Sequence, residues 1–429
     1  MKEPILFRRD DTLSHEDALY WKDLLYRTVK IGTELEFALP KGLRKEEFFP
    51  RLVEILQPSR DLTDLGTYGV YDVENEHCGV EIQIIGRQPY YKALLEQYRA
   101  IFALLPPGIR ARPTCGLHFH VLTPTLAEPV PEIVLANVWN LVRRYAPELR
   151  FLTSGGASRA ALCRRRNYTS HLEMVKWSPV PNAMPQIQQR LRESYAVPEH
   201  NNFLNLEHVQ FDAAGNVADF HLEFRFPDAD LAPTSIVAKT FLFLAVVLKA
   251  VELSQYGVIH VGRIHEWRRK VEVLDRLSNN RGRLATSDTQ AVTDEVLEEL
   301  RAGSRELLAL LKPVFDRWEY NPSFEVLVLL AESPNSLLRA AGRSWEEIEA
   351  LLAERARCDE LGLDQTDRRL MRTIELAVAT GCAAEEIWQG EVARALLLTP
   401  QEIEERLARL DRVRGLRWDA RLGTMAFRL

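Results

Sequence analysis

The chain has 429 residues, 46% hydrophobic and 27% charged, with a formal net charge of -6. That composition belongs to a folded globular protein with room for two or three cores, and excludes a largely disordered chain. The net negative charge argues against a surface built as a whole for nucleic acid or anionic membrane. The first thirty residues carry Arg8, Arg9, Asp10, Asp11, Glu16 and Asp17 and lack the apolar core of about 7–15 residues that a secretory signal needs. Five cysteines, Cys78, Cys115, Cys163, Cys358 and Cys382, are widely spaced with no CxxC pair, so neither a disulfide framework nor a zinc ribbon is expected. The expectation is a cytoplasmic protein with reduced thiols.

In chain order, the first strong pattern is VKIGTELEF, residues 29–37. Side chains on a strand alternate between faces, so Ile31, Thr33, Leu35 and Phe37 share one face, with Gly32, Glu34 and Glu36 on the other. CGVEIQII sets Val80, Ile82 and Ile84 against Gly79, Glu81 and Gln83, and CGLHFHV sets Leu117, Phe119 and Val121 against Gly116, His118 and His120. Two further strands follow. NFLNLEHVQF opposes Leu204 and Leu206 to Asn205 and Glu207, and FHLEFRF opposes Leu222, Phe224 and Phe226 to His221, Glu223 and Arg225.

The last two are joined through Asp212-Ala-Ala-Gly-Asn216, a turn sequence that predicts an antiparallel hairpin. Pairing Leu206 with Phe224 places Asn205 opposite Arg225 and Glu207 opposite Glu223. Two facing carboxylates are destabilising unless a cation or proton lies between them. Ordinary wet sheet faces are filled by Thr, Lys, Arg and Ser; here acids and imidazoles dominate, the donors that divalent cations prefer.

Beyond Pro233 the chain turns helical. Thr240–Val251 is the longest apolar run, but it contains Lys249 and falls short of the roughly 20 residues needed to cross a bilayer, so it predicts a buried helix. Helices are predicted at 235–255, 288–315, 322–331, 345–357, 364–379 and 400–413. Ser344-Trp-Glu-Glu347 has a capping-box pattern, and Thr399-Pro-Gln-Glu402 offers an N-cap, a first-turn Pro and an acid. The fold class is therefore expected to be α+β, with a first domain over 1–260, its α+β pattern starting near residue 25, and a helical region over 261–429.

Taken in order, Gly32-x-Glu34-x-Glu36, Glu81, Cys115-Gly-Leu-His118-Phe-His120, Asn205 and Glu223-Phe-Arg225 resemble the amidoligase family. That family is similar in fold to glutamine synthetase and glutamate-cysteine ligase. The resemblance spans residues 29–245 and implies a curved antiparallel sheet with helices on one face. It implies an ATP-dependent carboxylate-amine ligase, in which the γ-phosphoryl group activates a carboxylate and an amine displaces phosphate from the acyl phosphate.

The implied metal ligands for Mg²⁺ or Mn²⁺ are Glu34, Glu36, Glu81, Glu223 and His120, with Glu207 added by the hairpin pairing. The implied nucleotide contacts are His118, His120, Arg164, Arg166 and Arg225, and the implied catalytic groups are Arg225, Glu36 and Asn205. The arginine-rich segment GASRAALCRRRNYTS, with Arg159, Arg164, Arg165, Arg166 and Asn167, fits a family segment that grips phosphate or a substrate carboxylate. The loop FRFPDADLAPTS departs from the family at Pro227, Asp228 and Asp230, and is expected to set substrate choice differently, with the acceptor left open. The substrates implied are an amino-acid or peptide carboxylate and an amine acceptor, with neither nucleic acid nor membrane; glutamine synthetases form rings, so an oligomer is compatible.

Two rivals stand beside this reading. One is a metal-dependent hydrolase, with His118, His120 and one acid on Zn²⁺ and Glu34 or Glu36 as general base. The other is a non-catalytic scaffold whose C-terminal helices bind a protein.

Overall fold

The computed structural model describes residues 5–8, 12–47, 69–76, 79–85, 90–106, 115–123, 128–153, 183–193, 203–260, 287–318, 321–332, 416–419 and 424–427, with isolated positions between. The elements are β1 (Phe7–Arg8), α1 (His15–Thr28), β2 (Lys30–Phe37), β3 (Gly69–Glu76), β4 (Gly79–Ile85), α2 (Tyr91–Leu104) and β5 (Leu117–Leu122). Next come α3 (Glu132–Arg144), α4 (Ala146–Thr153), α5 (Ala183–Glu193), β6 (Leu204–Asn205), β7 (Gln210–Phe211), β8 (Val217–Asp219) and β9 (His221–Phe224). They are followed by α6 (Pro233–Leu253), β10 (Val258–Ile259), α7 (Ser287–Phe315), α8 (Ser323–Glu332), β11 (Leu416–Asp419) and β12 (Thr424–Phe427).

Six strands form one antiparallel sheet in the order β3-β4-β2-β5-β9-β6. Its apolar side is the one the alternation predicts. Leu35, Phe37, Ile82, Leu117, Phe119, Leu222 and Phe224 are fully buried there. They meet α6, where the Phe243 ring stacks on Phe224 at 4.4 Å and lies 5.0 Å from Phe119. Helix α2 contributes Tyr98, whose hydroxyl meets Thr33 Oγ1 at 2.6 Å, so this buried polar group on the apolar face has a partner.

Helix α6 is apolar all round and buried on nearly every side, as a helix crossing the middle of a core must be. Pro233 occupies its first turn, where a missing N–H costs nothing. Asp230 secures the start: Oδ1 accepts from Ala232 N at 3.0 Å, and Oδ2 accepts from Ser235 Oγ at 2.6 Å and Lys239 Nζ at 2.5 Å. The preceding residues run beside β5, with Leu117 N donating to Pro227 O and Gly116 bridged to Asp228. Asp230 of this loop thus serves the core and the start of α6.

Asp230 and Lys239 are both fully buried. Removing one partner strands a charge that water cannot reach, so Lys239→Met should cost about 3–5 kcal/mol in urea unfolding, while Asp230→Leu with Lys239→Met should recover most of it. An unchanged urea midpoint for the single variant would show that the pair contributes nothing.

The structure divides into two compact units, Met1–Pro334 and Asn335–Leu429. Helices α7 and α8, which lie beyond residue 260, pack on α6 and α4 within the first unit. Phe241 and Trp318 meet edge to face at 5.0 Å there. Lys270 pairs with the buried Glu148 at 3.0 Å, and Gly303 lets the α7 backbone come close, since a Cβ would lie 2.4 Å from Glu148 Oε1.

In the second unit, Asp367 is buried and paired with Arg406 at 2.8 Å and with Arg409. Thr399 and Glu402 form the expected reciprocal cap: Glu402 N donates to Thr399 Oγ1 at 3.2 Å, and Thr399 N donates to Glu402 Oε2 at 2.7 Å. The region expected to be almost wholly helical also holds the antiparallel hairpin β11-β12. The predicted helix 345–357 and the Ser344 cap lie outside the described residues; of 364–379, Thr366, Asp367 and Leu370 are described and helical. Among the described residues no helix is long and apolar enough to cross a membrane.

Candidate metal centre

The polar side of the sheet follows from the same alternation that buries the other. Register places Glu36 opposite Glu81, Glu34 between Gln83 and His118, and Glu223 between His120 and Asn205. Residues two apart on a strand lie about 6.5–7 Å apart and neighbouring strands about 4.8 Å apart, so these rows bring their side chains together. Gly32 faces His120 across the β2–β5 pair.

Two groups of side chains converge, in each of which the ligand atoms all lie within 4.8 Å of one another. One is Glu34, His120 and Glu223; the other is Glu34, Glu81 and His118. Glu34 belongs to both. Its Oε2 lies 2.5 Å from His118 Nδ1 and its Oε1 3.1 Å from His120 Nε2. His118 Nδ1 is also 3.3 Å from Glu223 Oε1, and His118 Nε2 is 3.3 Å from Glu36 Oε1.

Glu223 is held from two sides: Asn205 Nδ2 donates to Oε2 at 2.9 Å, and Arg225 Nη1 pairs with Oε1. Glu36 stands outside both groups. Its Oε2 accepts from Gly116 N at 2.7 Å, fastening β2 to the residue before β5. Glu81 Oε1 accepts from Gln83 Nε2 at 3.1 Å.

The electrostatics follow from this crowding. Burial would raise the Glu34 carboxyl, but hydrogen bonds from His118 and His120, and their charge, hold it far below the usual carboxylate range. Glu223 is likewise pulled down: burial opposes it, and Arg225, His120 and His118 outweigh burial. His120 is raised, since Glu34 and Glu223 overcome the burial that would lower it. His221 is pushed down to about 4 by burial and by the neighbouring His120 and His208, and so stays neutral near pH 7.

Four carboxylates around two imidazoles and one guanidinium form an oxygen-rich set with nitrogen at its edge, which suits Mg²⁺ or Mn²⁺. The fit rests on Glu34, Glu81, Glu223, His118 and His120. Glu207 is not among them. The chain turns after Asn205, with Val209 N donating to Leu206 O, and β6 ends two residues earlier than the expected pairing required. Glu223 therefore faces Asn205 rather than Glu207, and the expected like-charge pair does not form.

The Asp212 turn is present, but it closes β7 and β8, with Asp212 Oδ1 accepting from Ala214 N and Asn216 N. Arg159, Arg164, Arg165, Arg166 and Asn167 lie outside the described residues. His221, not singled out from the sequence, adjoins the centre with Nε2 3.0 Å from His120 Nδ1. Its place two residues before Glu223 on the polar face was the available signal.

No protein-family profile matches the sequence, and no curated protein matches it. Among solved structures it is similar to a bifunctional glutathione synthetase from Pasteurella multocida, with a TM-score of 0.37 and 13% identity over 86% of this chain and 57% of that one. It is also similar to the complex between prokaryotic ubiquitin-like protein Pup and its ligase PafA, with a TM-score of 0.37 and 12% identity over 80% of this chain and 71% of that one. The chain thus spans little more than half the length of the glutathione synthetase. Likeness at this level assigns no activity, and the functional reading rests on the site itself.

Proposed function

We propose that this protein is an ATP-dependent carboxylate-amine ligase of the amidoligase kind, acting in the cytoplasm with Mg²⁺ or Mn²⁺. The polar sheet face would then correspond to the curved catalytic sheet of glutamine-synthetase-like enzymes. The observation that carries this reading is the convergence of Glu34, Glu81, Glu223, His118 and His120 from four strands, with Arg225 fixed at the rim by Glu223.

A polyphosphate is repelled by such a face unless divalent cations intervene; Glu34, Glu81, Glu223, His118 and His120 would hold them, and they would supply the positive charge that offsets charge developing on a phosphoryl group. Glu34 contributes to both groups and so sets the distance between them. Asn205 holds Glu223 in the orientation that faces His120. Arg225 supplies an always-protonated planar fork suited to the oxygens of a transferred phosphoryl group. Glu36 acts at one remove, by holding β2 and the start of β5 in register. The acid and the amine would be an amino-acid or peptide carboxylate and a primary amine.

The hydrolase reading requires both histidines on one ion. Among the described residues they fall in different groups, which favours the ligase.

The test is ADP release from Mg²⁺-ATP in the presence of amino acids and peptides, with hydroxylamine as the amine. An activated acyl group is trapped by hydroxylamine as a hydroxamate, so one acid should give ADP and hydroxamate in equal amounts. Absence of Mg²⁺-dependent nucleotide binding would overturn the proposal.

A further inference from the structure

We propose that His221 is a positioning residue for the metal centre: its Nε2 accepts a hydrogen bond from His120 Nδ1–H, which turns the lone pair of His120 Nε2 toward Glu34 and Glu223. This rests on the metal reading of the site above and goes beyond it by naming what aims one of its ligands.

The sheet dictates the juxtaposition. His120 sits opposite Glu223 and Leu122 opposite His221, so the two histidines are diagonal neighbours on one face, within reach of ring side chains. Their facing nitrogens are 3.0 Å apart and their rings meet edge to face at 5.3 Å. The His208 ring also stacks on His221, with ring centroids 4.9 Å apart.

Two ring nitrogens at hydrogen-bond distance attract only when one of them carries the hydrogen. His120 Nε2 lies 3.1 Å from Glu34 Oε1 and 4.0 Å from Glu223 Oε1. His120 would hold a cation through its Nε2 lone pair, and the hydrogen of neutral His120 would then sit on Nδ1. His221 Nε2 is then the acceptor, and His221 carries its own hydrogen on Nδ1. A ligating histidine whose second nitrogen donates to a fixed acceptor is held in one tautomer and one orientation, and loss of such a partner typically weakens metal binding about 10–100-fold.

Mn²⁺ titration of the full chain, followed by the electron paramagnetic resonance of the free ion and without nucleotide, tests this. His221→Leu should weaken Mn²⁺ binding at least about tenfold. His221→Gln, which can place an amide oxygen near the Nε2 position, should stay within a few-fold of the wild type. Equal losses in both variants, or no loss in His221→Leu, would overturn the proposal.

Should His221→Leu fail to fold, ¹⁵N chemical shifts of the wild-type imidazoles in Mg²⁺ decide it. A protonated Nδ1 on His120 is expected, and a protonated Nε2 would overturn the assignment. A wild-type protein that binds no Mn²⁺ removes both the metal reading and this inference. Wild-type binding that is indifferent to His221→Leu removes this inference alone.

Discussion

Glu34→Gln is expected to weaken Mn²⁺ binding by at least about 100-fold and to lower ligase turnover about a thousandfold, with the far-UV spectrum unchanged. Glu34 is the one carboxylate common to both groups, with one oxygen at His118 and the other at His120. Glutamine keeps the volume but removes the charge and replaces one ligand oxygen with an amide nitrogen that cannot coordinate a hard cation. Every cation placed on this face meets that loss.

The same substitution has a signature in the metal-free protein. The folded-state pKa of Glu34 is depressed from its ordinary value of about 4.5. Its stabilising contribution is therefore present above that value and fades as the pH falls toward the lower, folded one. Denaturant unfolding should show the wild type more stable than Glu34→Gln at neutral pH, with the gap closing below about pH 4.5. Unchanged Mn²⁺ affinity in the variant would remove Glu34 from the centre.

The second large effect is expected at Arg225. Its guanidinium is anchored to Glu223, which is itself held by Asn205 and faces His120. That anchoring fixes a permanent positive charge beside the row of carboxylates and imidazoles, where, on the proposed ligase reading, charge would accumulate on a transferred phosphoryl group.

Fixed donors of this kind act mainly on the transition state, because they need no reorganisation as the charge develops. Arg225→Ala should therefore reduce kcat about a thousandfold while the KM for ATP changes less than about tenfold. Arg225→Lys keeps the charge but loses the planar fork, and should recover only part of the loss. Equal effects on kcat/KM and on nucleotide affinity would reduce Arg225 to ground-state binding.

Glu34, His118, His120 and Glu223 were legible as site candidates because strand periodicity alone puts them on the polar faces of strongly two-faced segments. Strand β3 was not legible. Its register shifts between Val70 and Asp72, and that irregularity breaks the alternation by which strands are recognised. The place of Glu207 was misread for a related reason: the apolar pattern permits two registers that keep the same faces, and a shift of two residues changes every partner without exposing an apolar side chain. Asp230 read as a loop acid because nothing local announces that Lys239, nine residues on, is turned toward it in the core.

By itself the sequence determined which side chains share a face, that the apolar run through 240–251 forms a buried helix, and that acids and imidazoles would gather on one side of a sheet, because those are consequences of backbone periodicity within a few residues. The tertiary structure alone decided that Asn205 rather than Glu207 meets Glu223, that Glu36 fastens a strand, and that His221 reaches His120. Those outcomes depend on the register between strands distant along the chain, which is fixed by how turns and core side chains settle together.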